Sequence, residues 1–214
     1  MSKHGSVIDR DLNLKELPDV LRMKGQDKGF PLSGIWVYSG SQGSGKTLNM
    51  IHTLIEIHEK FPKCKIVSNI NLFGIPYEIY HDFNDFDRYA NGHDGVCFVI
   101  DEIQTLFSSL ESKNVPLSQL EVWSQNRKNR RVILGTSQRF TRISKPIREQ
   151  CKFHIECRNI AFLRLYRVLD ATLYNDDGDY TGKKPYYKPY IPTIKSFLSY
   201  NTYEVVERDP EVKK

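Results

Sequence analysis

The sequence lacks long apolar runs, paired cysteines and, over one long stretch, any acid at all. No apolar run approaches the ~18–20 residues that a membrane-spanning helix needs, so any membrane contact is expected to be peripheral or through a partner. The cysteines are few: Cys64, Cys97, Cys151 and Cys157, with no Cys-x-x-Cys spacing. The chain does not open on a signal peptide, and together these features suit a reduced, cytoplasmic setting (host cytoplasm if the protein is viral). From Trp123 to Arg148 there are eight Lys or Arg and no Asp or Glu. The overall charge is only +5, so the local run says more about an acidic partner than the total does.

What is present is enough apolar material for a core. Hydrophobic residues make up 39% of 214 residues, which excludes global disorder and suits one α/β domain. Met1 to Lys28 is polar and reads as an arm. Ile35-Trp36-Val37-Tyr38 reads as a strand. Apolar residues then recur at Leu48, Ile51, Leu54 and Ile55 with helical spacing, up to Pro62. Lys65 to Ser68 starts a second strand, which makes a right-handed βαβ unit. A short helix is expected within Asp82–Tyr89. Val96 to Ile100 is a continuous apolar run, as in strands covered on both faces of a parallel sheet. A helix over Ser118–Lys128, a strand at Val132–Leu134, and a hairpin of Phe153–Arg158 with Phe162–Val168 complete the core. The expected division is an N-terminal arm (1–29), a core (30–170) and a small C-terminal β or irregular appendage (171–214).

Between the first strand and the helix stands Gly40-Ser41-Gln42-Gly43-Ser44-Gly45-Lys46-Thr47-Leu48. This is G-x-x-x-x-G-K-[ST] and its following residue. Glycines let successive N–H groups turn inward around phosphates, and the helix start adds its positive dipole end. Lys46 is expected to reach the β- and γ-phosphates of ATP, and Thr47 to place its hydroxyl on Mg²⁺. The second motif is Asp101-Glu102 at the end of the apolar strand, the edge where ligands bind in open α/β sheets. Asp101 is the candidate for the metal shell and Glu102 for the base acting on water. The third is Arg131-Val132-Ile133-Leu134-Gly135-Thr136-Ser137-Gln138. If that strand lies between the other two, Gln138 can touch the γ-phosphate region. Arg127, Arg130, Arg131 and Arg148 are candidates for a cation supplied to the transferring phosphoryl group, often by a neighbouring subunit. Arg139, Arg142 and Lys145 are candidates for sequence-independent DNA phosphate contacts.

GSQGSGKT, VCFVIDEIQ and RKNRRVILGTSQ together resemble the FtsK–HerA superfamily of DNA-pumping ATPases. Val67-Ser68-Asn69-Ile70, DEIQ and Tyr200-Asn201-Thr202-Tyr203-Glu204 look most like the Zot-type proteins within it, a group that includes filamentous-phage assembly ATPases and has viral genome-packaging relatives. The likeness covers residues 33 to 158 well. It implies a RecA-like P-loop core, a mainly parallel sheet flanked by helices, and an ATP-driven motor on DNA of unassigned strand type. It further implies a homo-oligomeric ring in which the arginine matching Arg127 acts on the next subunit's site. The filamentous-phage proteins carry a membrane span after the ATPase domain. Its absence here shifts the expectation toward packaging or translocation, with a capsid or membrane protein as docking partner. Two other readings remain at this point: a small-molecule or nucleoside kinase, and an assembly factor switched by nucleotide without translocation.

Other features weigh less. Strand alternation puts Cys151, Phe153, Ile155 and Cys157 on one face and His154 on the other. The two cysteines would then stand ~20 Å apart, too far for one zinc. The Tyr and Lys cluster Lys183–Lys188 could stack on nucleic acid, pack as a loop or form a subunit contact.

Overall fold

Apolar runs separated by glycine and polar turns become the inner strands of one sheet. In a computed structural model the described residues are 29–89, 92–108, 121–122, 124–160, 163–175, 178–182, 186–192, 196 and 198–200. The expected arm at 1–28, Trp123, the turn at 176–177 and the Tyr-Asn-Thr-Tyr-Glu segment after Tyr200 lie outside them. In chain order the described elements are β1 (Gly34–Ser39), α1 (Lys46–Lys60), β2 (Lys65–Ser68), β3 (Glu78–Ile79), α2 (Asp85–Arg88), β4 (Val96–Ile100), α3 (Thr105–Ser108), β5 (Arg131–Ser137), α4 (Lys145–Arg148), β6 (Cys151–Ile160), β7 (Leu163–Asp170) and β8 (Tyr186–Tyr190).

The sheet runs β3-β2-β4-β5-β1-β6-β7-β8. Its first six strands are parallel, while β7 and β8 add antiparallel. β5 therefore lies between β4 and β1, the order that brings the three motif-bearing strand ends side by side. Their register is continuous: Ile100 pairs with Gly135, and Ser137 with Ser39. Every residue of β4 and β5 is buried, as expected of strands covered on both faces.

Alternate side chains feed two cores. Trp36, Tyr38, Val99, Val132, Leu134 and Ile155 pack against Met50, Ile51, Leu54 and Ile57 of α1. Ile35, Val37, Phe98, Ile100 and Ile133 meet Phe140, Ile143 and Ile147 on the opposite face. Each such side chain contributes about 1.5–3 kcal/mol of transfer free energy. Gly135 permits one close approach: a Cβ there would stand 2.5 Å from Ile103 Cδ1. The turn after β4 can thus fold across β5.

Several expectations change. β5, β6 and β7 are longer than their apolar cores suggest, because neighbouring strands pair polar and charged residues as well as apolar ones. β3 is only two residues long and both are exposed, so no apolar run marks it. The helix expected over Ser118–Lys128 is not continuous: Glu121, Val122 and Ser124 are helical, but 125–130 form turns. The cysteine face also differs. Register shifts where Ile35 pairs with Cys151 and Trp36 with Phe153. This irregularity turns Cys151 into the core opposite the one that holds Cys157. Residues 183–185 lie outside the described ones, and Tyr186–Tyr190 form the sheet's last strand rather than a loop.

Candidate functional site

β1 ends at Ser39, and residues 40–45 form a loop that leads into α1. Gly45 sits at the helix N-terminus in left-handed geometry, φ 83°. A side chain there would be strained, and its Cβ would meet Asn159 Oδ1 at 2.9 Å. Lys46 is almost buried and donates from Nζ to Ser41 O at 3.1 Å. Ser41, Gln42 and Gly43 are exposed at the loop crest, and Leu48 is buried beneath it. Ser44 Oγ is buried and makes no hydrogen bond. A 15-residue helix opening on this loop presents free N–H groups to any anion above it.

Thr47 Oγ1 donates to Asp101 Oδ1 at 3.1 Å. The same carboxylate oxygen accepts from Thr136 Oγ1 at 2.6 Å. Asn69, just past β2, holds the Asp101 backbone from both sides: its Oδ1 accepts from Asp101 N at 2.8 Å, and its Nδ2 donates to Asp101 O at 3.1 Å. Glu102 follows with φ 53°, a left-handed conformation unusual for a side-chain-bearing residue. Thr136 Oγ1 accepts from Glu102 N at 2.9 Å, and Thr136 O accepts from Ile103 N at 2.8 Å. Gln104 Nε2 donates to Glu102 Oε2. Thr136 thus ties the Asp-Glu turn to β5. Replacing it by Val is expected to lower stability by about 1–3 kcal/mol, since the Glu102 N–H loses its acceptor. Urea denaturation checks this.

Gln138 is exposed just beyond β5, next to the start of the glycine loop, and its Oε1 accepts from Arg142 Nη1 at 2.6 Å. Arg139 is exposed beside it. The other basic candidates lie elsewhere. Arg127 and Arg130 precede β5 and so stand at the opposite end of the sheet, roughly 20 Å away at ~3.3 Å per residue. Arg130 Nη1 bonds His93 O there. Arg131 must be withdrawn as a phosphoryl-contacting residue: it is fully buried and its guanidinium is bonded to Asn126 Oδ1, Phe86 O and Val122 O. Lys145 and Arg148 are on α4, shortly before the N-terminal end of β6. With Phe140, Thr172, Tyr174 and Asn175 they line a cavity of about 210 Å³ away from the glycine loop.

Four features were not expected from the sequence: the roles of Thr136 and Asn69, the β6–β7 contacts with the loop, and a buried chain behind β1. In that chain Ser39 Oγ lies 2.6 Å from His154 Nε2, and His154 Nδ1 lies 2.5 Å from the Tyr174 hydroxyl. The imidazole stacks on Phe140, with centroids 4.2 Å apart. Burial, with Arg167 adding to it, pushes the His154 pKa down to about 3 from 6.5. Between those values the unfolded chain binds a proton that the folded chain refuses. This site's stabilising contribution is therefore full above pH 6.5 and is lost progressively as pH falls toward 3. A His154→Gln variant is expected to take up about one proton fewer on acid unfolding, seen as a shallower pH dependence of the denaturation midpoint.

The oxygen donors of Thr47 and Asp101 already face each other, which is the donor chemistry a hard cation such as Mg²⁺ takes. Among the described residues no cluster of three His, Cys, Asp or Glu could hold a metal, so substrate oxygens and water would complete such a shell.

The sequence pattern of the zonular occludens toxin (Zot) family matches residues 77–184, about half of the chain. The chain belongs to the Zot family. The match includes Asp101, Glu102 and Gln138 but not the glycine loop. No curated protein matches this Zot-family sequence. Among solved structures, it resembles the N-terminal domain of zonular occludens toxin from Neisseria meningitidis at TM-score 0.58 and 16% identity, covering 79% of this chain and 100% of that one. It also resembles B204, the DNA-packaging ATPase of Sulfolobus turreted icosahedral virus, at TM-score 0.51 and 15% identity, over 75% of this chain and 98% of that one. The genome-packaging NTPase B204 of Sulfolobus turreted icosahedral virus 2, solved with ATP-gammaS, matches at TM-score 0.50 and 12% identity, over 74% and 97%. These likenesses establish a RecA-like P-loop NTPase core with a small appendage. No helix among the described residues is long and apolar enough to cross a membrane.

Proposed function

We propose that this Zot-family protein binds MgATP at Gly40–Leu48 and hydrolyses it to move or package DNA, with residues 30–170 as the ATPase core. The observation that carries the reading is the contact of Thr47 Oγ1 with Asp101 Oδ1, with Glu102 next in chain on the same sheet edge. In this reading the loop N–H groups and Lys46 hold the phosphates, and Lys46 exchanges Ser41 O for phosphate oxygen. Thr47 and Asp101 hold Mg²⁺, which neutralises charge developing on the transferred phosphoryl group. Glu102 takes a proton from the attacking water. Gln138 donates from Nε2 to the γ-phosphate while its Oε1 accepts from Arg142 Nη1. A change at the γ-phosphate would then reach the basic segment Arg139, Arg142 and Lys145, where DNA phosphates are taken to bind. Arg127 stands at the far end of the sheet, so it could serve only a neighbouring subunit's site, which requires an assembly such as a ring.

The test is ATP hydrolysis with single- and double-stranded DNA across protein concentration. DNA-stimulated turnover rising cooperatively with protein is expected. DNA-independent hydrolysis with ATP-driven oligomerisation would replace the motor with an assembly switch. A phosphorylated small acceptor would replace both with a kinase.

A further inference from the structure

The glycine loop has a second neighbour, on the side away from Asp101 and Glu102. β6 pairs with β1 through Ser39 and Glu156, then continues past the end of β1 to Ile160. β7 returns antiparallel, with Asn159 opposite Arg164. The end of this hairpin stands against the loop. Asn159 Nδ2 donates to Gly43 O. A Cβ on Gly45 would lie 2.9 Å from Asn159 Oδ1, 3.4 Å from Arg164 Cδ and 3.6 Å from Arg164 Nε. Arg164 Nε is buried and makes no hydrogen bond. A buried N–H donor without an acceptor is unfavourable and calls for a partner. The loop holds a second buried orphan, Ser44 Oγ.

The sheet order says which part of a nucleotide would lie there. In-line attack puts the water, the γ-phosphorus and the leaving oxygen on one line. If Glu102 positions that water on the β4–β5 side, the α-phosphate and nucleoside leave the loop on the other side, toward β6 and β7. We infer that Arg164 is a nucleotide-binding residue, contacting the α-phosphate or ribose of ATP and ADP alike, with Asn159 holding the loop against it. The inference rests on the reading of Gly40–Leu48 as the nucleotide loop. It places one cation of the site within the same subunit, independent of any arginine from a neighbour.

Titration calorimetry with ADP and with a non-hydrolysable ATP analogue, both with Mg²⁺, tests it on the full chain. Arg164→Met keeps the aliphatic stem against Gly45 and removes the charge; Arg164→Lys keeps a charge. Arg164→Met is expected to weaken both nucleotides by the same factor, roughly ten- to thirtyfold, as for loss of a charge-assisted bond. Arg164→Lys is expected to recover part of that loss. Unchanged ADP affinity in a folded Arg164→Met protein overturns the assignment. So does a loss confined to the ATP analogue, which would place Arg164 at the γ-phosphate. Lys46→Ala is the companion measurement. If it too leaves binding at the wild-type level, the nucleotide loop itself is misassigned and both readings fall. If it abolishes binding while Arg164→Met does not weaken it, only this inference falls.

Discussion

Glu102→Gln is expected to leave ATP binding intact and to slow hydrolysis by about a hundred- to ten-thousandfold, the range for removal of a positioned general base. The substitution is close to isosteric, so Thr136 still accepts from the residue 102 N–H and the left-handed turn can persist. What is lost is an oxygen able to take a proton from water. Single-turnover hydrolysis at saturating ATP measures the effect, with nucleotide affinity as the control. A native rate would remove Glu102 from its proposed role. The backbone offers a second, independent readout. A side-chain-bearing residue at φ 53° is disfavoured by about 1 kcal/mol or more. Glu102→Gly is therefore expected to match or exceed the native stability while losing turnover. A strained residue that becomes more stable as it becomes inactive is what a functional position predicts.

The inner sheet was legible because its signals are local. Val96–Ile100 is apolar throughout, and both its boundaries matched the structure. GSQGSGKT lies between an apolar strand and a helix of clear 3.6-residue period. The position of β5 between β4 and β1 stood in the sequence only as a condition, since no single-strand pattern encodes a neighbour. What escaped notice depends on pairing between distant segments. Thr136 is one polar residue in an apolar strand; only the parallel register with β4 shows that its hydroxyl serves Asp101 and Glu102. Asn159 and Arg164 look like ordinary polar residues of an exposed hairpin. Their relation to Gly43 and Gly45 appears only because β6 outruns β1. The face of Cys151 was misread for a related reason, since one irregular pair between β1 and β6 inverts the alternation on which the reading depended.

Arg131 shows how far a charge pattern can mislead, and it carries the second large effect. Within a run free of acids it resembled a solvent-facing cation. In the fold it is fully buried at the start of β5. Nε donates to Asn126 Oδ1 at 2.6 Å, and the two terminal nitrogens donate to Phe86 O and Val122 O. The guanidinium also lies 5.6 Å from the centre of the Phe86 ring. Burial pushes its pKa down to about 10, still well above neutrality, so it remains a cation. One planar fork thus pins α2, the segment around Val122 and the turn before β5 to the same strand end. Arg131→Ala would empty that volume and leave the acceptors without donors, a combined loss expected at about 3–5 kcal/mol. Domains of this size have only about 5–15 kcal/mol in total, so the variant is expected to be marginal at 37 °C. Arg131→Lys should recover only part of the loss, because an ammonium cannot reproduce the spread of a planar fork. The measurement is the denaturant midpoint of each variant at constant slope. A loss below about 1 kcal/mol for Arg131→Ala would mean that the pinned segments hold their places without it. Because Arg131 sits at the opposite end of the sheet from Lys46, folded Arg131→Lys protein is expected to bind nucleotide like the wild type, which separates a structural arginine from one that acts on phosphate.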